Sequence, residues 1–215
     1  MKYSIQNNNS SELIVFFNGW GMDEKSLQHI DAEGRDVLTL YDYSSEVILP
    51  EMSLKTYKRA YVVAWSMGVF IANQLASQLG LNIEKSIALC GSPYPVHNEY
   101  GISVKIFDIT SKGLRLAGTD KFFKQMFIGI DNPLFNRPER ELMEQITELE
   151  NLKKVSIDAE KEPFSWDVAV VGIKDRIFPS KSLISYWEGK TKLIKDSIPH
   201  YPFDKYDTWN KILSI

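Results

Sequence analysis

A serine stands in the stretch "VVAWSMGV", residues 62–69, where an apolar run gives way to glycine. Small-x-Ser-x-Gly, here Ala64 to Gly68, is the pattern of a nucleophile elbow, a sharp strand-to-helix turn that exposes a serine hydroxyl. The flanking residues must be small because the turn brings the helix start against the strand. That helix then aims its free N–H groups and positive dipole end at any negative charge forming beside Ser66. Small-x-Ser-x-Gly also arises by chance, so its place after "YVVA" and before an amphipathic helix is what carries it.

A serine hydroxyl attacks a carbonyl only when a base takes its proton and a carboxylate orients that base. On an elbow scaffold the chain order is Ser, acid, His. "DVAVVGIKDRIFP" reads as a strand ending at Gly172 and a loop carrying Asp175, and "KLIKDSIPHYPF" as a short strand and a loop carrying His200. Taken singly, a loop Asp is a turn residue and a loop His a solvated side chain; the ordered trio is what points to catalysis. Asp108 and Asp42 are alternative acids, Asp42 being held in reserve because it follows the second strand in "LYDY". His29 reads as a partly exposed residue on a helix after the first strand, and His97 as a structural residue in "GSPYPVH". Two backbone donors should face the developing oxyanion. One is the N–H of Met67; the other is that of Trp20 in "FFNGWGM", where Gly19 and Gly21 let the backbone curl close.

These side chains need a scaffold that brings loops together. Short apolar runs at Leu13–Phe17, Val37–Leu40, Ala60–Ala64, Ser86–Cys90, Asp167–Gly172 and Lys192–Ile194 read as strands buried on both faces of a mostly parallel sheet. Val69, Ala72, Ala76 and Leu79 recur at helical spacing after Ser66, with Gly80 as the stop. Strand alternating with helix gives an α/β fold of about six strands with helices on both faces. The alternation lapses over residues 93–163, which read as a helical lid inserted in a single domain spanning 1–215. Its aromatic density suits the lining of an apolar groove, and Phe122, Phe123, Met126 and Phe127, with Trp20, are the candidate substrate contacts.

Composition narrows the function classes. A net charge of −3 argues against general nucleic-acid binding, and three dispersed histidines imply no metal. No cofactor motif is present. Cys90 is the only cysteine, the N-terminal "MKYSIQNNNS" lacks the apolar run of a signal peptide, and no run is long enough to span a bilayer. The expectation is a cytoplasmic protein with no membrane partner. Oligomeric state is not legible.

"FNGWG", "AWSMGV", "GSPYPV", "GIKDRIFP" and "IPHYPF", in this order along most of the chain, resemble the BioG type of pimeloyl-ACP methyl ester esterase. These are small α/β-hydrolases of biotin synthesis. The resemblance implies a carboxylesterase in which Ser66 is the nucleophile, His200 the base and Asp175 its orienting acid, with Trp20 and Met67 forming the oxyanion hole. The implied substrate is pimeloyl-ACP methyl ester, cleaved to pimeloyl-ACP and methanol, so acyl carrier protein becomes the expected partner. The charge pattern agrees: residues 111–140 hold six basic residues against three acidic. Lys121, Lys124, Arg137 and Arg140 are the candidate docking residues. Three other readings stay open: a broad short-chain esterase or thioesterase without a carrier, a catalytically idle binding module of the same fold, and an acyltransferase.

Overall fold

The computed structural model describes residues 1–45, 54–158 and 164–215. Runs that are apolar throughout have no polar face to offer water, so they pair side by side and are covered above and below. The strands are β1 (Lys2–Gln6), β2 (Glu12–Phe17), β3 (Asp36–Tyr41), β4 (Arg59–Trp65), β5 (Ile83–Leu89), β6 (Val168–Gly172) and β7 (Lys192–Asp196). They form one sheet in the order β1-β3-β2-β4-β5-β6-β7. β1 runs antiparallel to β3, and all other neighbours are parallel.

The six apolar runs became β2 to β7. β1 was not foreseen, because "KYSIQ" is largely exposed and only Tyr3 and Ile5 in it are apolar. It is an edge strand, held by its ladder to Val37–Tyr41 and by the N-terminal amine on Ser45.

The period of two splits the core into two layers. Leu13, Val15 and Phe17 of β2 pack on one face with Val62, Ala64 and Val171; Ile14 and Phe16 pack on the other with Val63, Trp65 and Val170. Each large apolar side chain so buried contributes about 1.5–3 kcal/mol. The first face is covered by α1 (Gly68–Leu75), α2 (Val104–Ala117), α4 (Leu142–Asp158) and α5 (Ser180–Trp187); the second by α3 (Asp120–Met126) and α6 (Trp209–Leu213). α1 continues as a 3-10 turn, Ala76–Leu79, and stops at Gly80 in the left-handed region (φ 63°).

The connection from β5 to β6 carries α2, α3 and α4, and residues 159–163 of the expected lid lie outside the described residues. His29 is not on a helix: residues 24–29 form turns. Asp23 and Ser26 bond local backbone and each other there, which competes with helical pairing.

Candidate active site

Parallel strands present their carboxyl ends on one edge, so the loops after β2, β4, β6 and β7 converge. Ser66 follows β4 directly, with φ 59°, a strained conformation for a residue with a side chain. Its N–H is fixed on Leu89 O (2.9 Å), and its carbonyl accepts from Val69 N–H (3.2 Å) as α1 begins. A Cβ at Gly68 would lie 2.3 Å from Phe17 O, and one at Gly91 would lie 2.2 Å from Ser66 O. Glycine on both sides is therefore what lets β2 and the loop after β5 close on the serine. Gly91, in "LCGSP", is a requirement the sequence pattern did not reveal.

His200 lies after β7 in a loop packed so tightly on β6 that a Cβ at Gly172 would stand 2.7 Å from Ile198 O. Its Nδ1 is 2.7 Å from Asp175 Oδ2 and its Nε2 2.9 Å from Ser66 Oγ. With the ring proton on Nδ1, that nitrogen donates to the carboxylate and Nε2 is left to accept the serine proton. Asp175 Oδ1 accepts from the N–H groups of Ile177 (2.7 Å) and Phe178 (2.9 Å), so the carboxylate is held from both oxygens. Both side chains are buried. Trp65 donates its indole N–H to His200 O (2.8 Å), and the Phe178 ring lies parallel to the imidazole. These two supports were not foreseen, since neither aromatic carries a signal beyond apolarity.

The competing groups are elsewhere. Asp42 pairs with Lys2 and Arg140, and Asp108 with Lys153. His97 accepts from the amides of Glu99 and Tyr100 through Nδ1, and His29 packs beside Tyr201. Burial pushes the Cys90 thiol well up, with the Asp175 carboxylate adding to the effect, which leaves it protonated and a poor nucleophile.

Gly19 lies against the elbow: a Cβ there would meet the Trp65 ring at 3.0 Å. Among the described residues no protein acceptor takes the backbone N–H of Trp20 or of Met67. Trp20 and Met67 both border a cavity of about 560 Å³. Its other walls include Ile106, Ile109 and Leu116 of α2, Lys121 and Phe122 of α3, and Arg176 beside Asp175.

The family described as pimeloyl-ACP methyl esterase BioG matches residues 1–212 of this chain. The chain belongs to the BioG family. It is similar to the crystal structure of BioG from Haemophilus influenzae, with a TM-score of 0.85, 26% identity and 98% of each chain covered. It is also 34% identical over 180 residues to a malonyl-[acyl-carrier protein] O-methyltransferase of Bacteroides fragilis; the match covers 82% of this chain but only 36% of that relative. A lipase-esterase related protein from Clostridium acetobutylicum shares the fold, with a TM-score of 0.59, 17% identity and coverage of 99% and 96%. The architecture is that of the α/β-hydrolases.

For this BioG family member, the structure divides the expected lid residues. Phe122 and Trp20 line the cavity and meet edge to face at 5.0 Å. Phe123, Met126 and Phe127 do not: they turn inward to the second core layer, where Phe127 packs on Tyr201 and Phe135. Helical spacing showed that they share a face but not what covers it. Arg140 is not a surface docking residue. Its side chain is 5% exposed, ion-paired with Asp42 (2.9 Å) and hydrogen-bonded to Glu148 (2.6 Å). Arg137 is engaged by Asp120 and lies 4.9 Å over the Phe123 ring. Lys121 and Lys124 remain exposed, without an ion-pair partner among the described residues. No helix among the described residues is long and apolar enough to cross a membrane.

Proposed function

We propose that this protein is a cytoplasmic serine carboxylesterase of biotin synthesis that hydrolyses pimeloyl-ACP methyl ester to pimeloyl-ACP and methanol. The observation that carries the proposal is the hydrogen-bonded series Ser66–His200–Asp175 beside an apolar cavity lined by Trp20 and Met67, whose backbone amides have no acceptor among the described residues. Ser66 Oγ attacks the ester carbonyl while His200 Nε2 takes its proton. The oxyanion is held by the N–H groups of Trp20 and Met67. Collapse breaks the bond to the methoxy oxygen, which leaves as methanol with the proton from His200. Water, deprotonated by His200, then cleaves the acyl-serine and restores Ser66.

The apolar walls suit a methylene chain, and α2 to α4 act as the lid. A chain threaded along the cavity brings only its distal ester to Ser66, so the thioester to the carrier survives. Lys121 and Lys124 on the outer side of α3 supply a positive face for the acidic carrier. The methyltransferase named for the Bacteroides relative belongs to a much longer protein. We read the shared part as its hydrolase part, and methylation as the earlier step that masks the carboxyl this chain unmasks. A broad esterase that uses no carrier is the second reading, favoured by how openly α2 shows Ile109 and Leu116 to solvent.

The test is incubation of purified protein with pimeloyl-ACP methyl ester, the products resolved by mass. Pimeloyl-ACP with intact thioester supports the proposal; free pimelate monomethyl ester and bare carrier would make the protein a thioesterase. Equal kcat/KM on carrier-bound and free methyl pimelate would favour the second reading.

A further inference from the structure

The loop that carries Trp20 is tied down by buried charges that the mechanism above does not use. Arg140 Nη1 and Glu148 Oε2 pair at 2.6 Å, with side chains 5% and 0% exposed. A buried ion pair is often no more stabilising than apolar residues of the same volume, so stability alone does not account for it. What the pair does is hold backbone. Glu148 accepts the N–H of Gly21 through Oε2 (3.2 Å) and that of Tyr43 through Oε1 (3.0 Å), while Arg140 Nη1 donates to Met22 O (3.1 Å). The Trp20 indole donates to Gln145 O (2.7 Å), and Gln145 Nε2 donates to Arg140 O (2.9 Å). On the other side of Trp20, Asn18 N–H is fixed on Leu40 O and Gly19 N–H on Asn18 Oδ1. In residues 18–21, the Trp20 N–H alone has no acceptor among the described residues, and the amides on both sides of it are pinned.

We propose that Arg140 and Glu148 are positioning residues for the oxyanion donor at Trp20, clamping the loop from α4 and the segment before it. The proposal rests on the esterase reading, because only a developing oxyanion gives that amide a ligand. Gly21, at φ 74°, has no side chain of its own to resist rotation of the adjoining peptides. A donor must stand about 2.7–3.1 Å from the oxyanion, and a misplacement of about 1 Å can lower the rate about 100-fold.

The test compares Arg140→Met/Glu148→Leu, which removes both charges together, with Glu148→Gln, which keeps an acceptor for Gly21. Turnover of p-nitrophenyl butyrate, inhibition by butylboronic acid and thermal melting are measured for each. The boronic acid forms a tetrahedral adduct on a serine oxygen and places an oxygen where the oxyanion lies. In the double variant, kcat is expected to fall about 10- to 100-fold with KM within about 3-fold, and boronate binding to weaken by a similar factor. Glu148→Gln is expected to recover most of that loss. A folded double variant with wild-type kcat and boronate affinity, a loss confined to KM, or unfolding of both variants would each overturn the clamp. Failure of the wild-type protein to turn over the ester or bind the boronate would instead strike the esterase reading.

Discussion

The elbow edge of the sheet and the α2–α3 face of the cavity are built on opposite terms. At the elbow, Ser66, His200 and Asp175 are buried with their side chains hydrogen-bonded, and glycines at 68, 91 and 172 admit no added carbon without collision. Across the cavity, Ile106, Ile109 and Leu116 face solvent, Leu116 with 88% exposure, and Gly113 has nothing within 4 Å of where a Cβ would stand. Bond-making geometry tolerates little movement, so its surroundings are over-determined. On the proposed function, this face receives a long chain and a second protein, and it has to stay open until they arrive.

The largest expected effect falls on the closed side. Ser66→Ala should fold normally and lose about 10⁵-fold or more in kcat, measured on either a carrier-bound or a small ester. Retained turnover would remove the distinction between the two regions altogether. Asp175→Asn should lose about 10³- to 10⁴-fold in kcat by mis-orienting the imidazole, whereas Asp42→Asn should stay within about 10-fold. A reversed ranking would move the acid to the loop after β3.

Matched glycine substitutions separate the regions by stability. Gly68→Ala pushes a methyl against Phe17 O, and denaturant unfolding should show a loss of about 1–3 kcal/mol. Gly113→Ala, in open space on α2, should gain about 0.5–1 kcal/mol from helix propensity. Equal losses at both positions would mean that α2 is packed as tightly as the elbow. The smallest effect concerns Lys121 and Lys124. Reversing both charges should raise KM for pimeloyl-ACP methyl ester by about 0.5–2 kcal/mol, less at high salt, with a small ester unaffected. Matching losses on both substrates would place these lysines in the fold of α3 rather than in recognition.

Much of the closed region was legible from residue order. The elbow signals itself within five residues, because its constraint is steric and local, and the Asp175 and His200 loops follow from two apolar runs and their turn residues. The open region was read less well. "KFFKQMF" shows an apolar and a basic face, yet of its apolar residues only Phe122 reached the cavity, beside Lys121 and Gln125, while Phe123 and Met126 met the core below. The buried Glu148 gave no signal at all: in "ELMEQITELE" it reads as one more solvated carboxylate. Burial raises its pKa even with Arg140 opposing the shift. Asp42, by contrast, is held below the usual carboxylate range: Ser44, Lys2 and Arg140 together outweigh its burial.

By itself the sequence determined the parallel α/β scaffold, the strained serine turn and the order of the trio, since strand burial and turn sterics depend on near neighbours along the chain. Only the tertiary structure decided which acid met His200, that Arg140 faces inward, and that α4 grips the Trp20 loop. The last of these joins residues more than a hundred positions apart, Gly21 and Glu148. A charged side chain reads the same in sequence whether it meets water or a buried partner; packing alone distinguishes them.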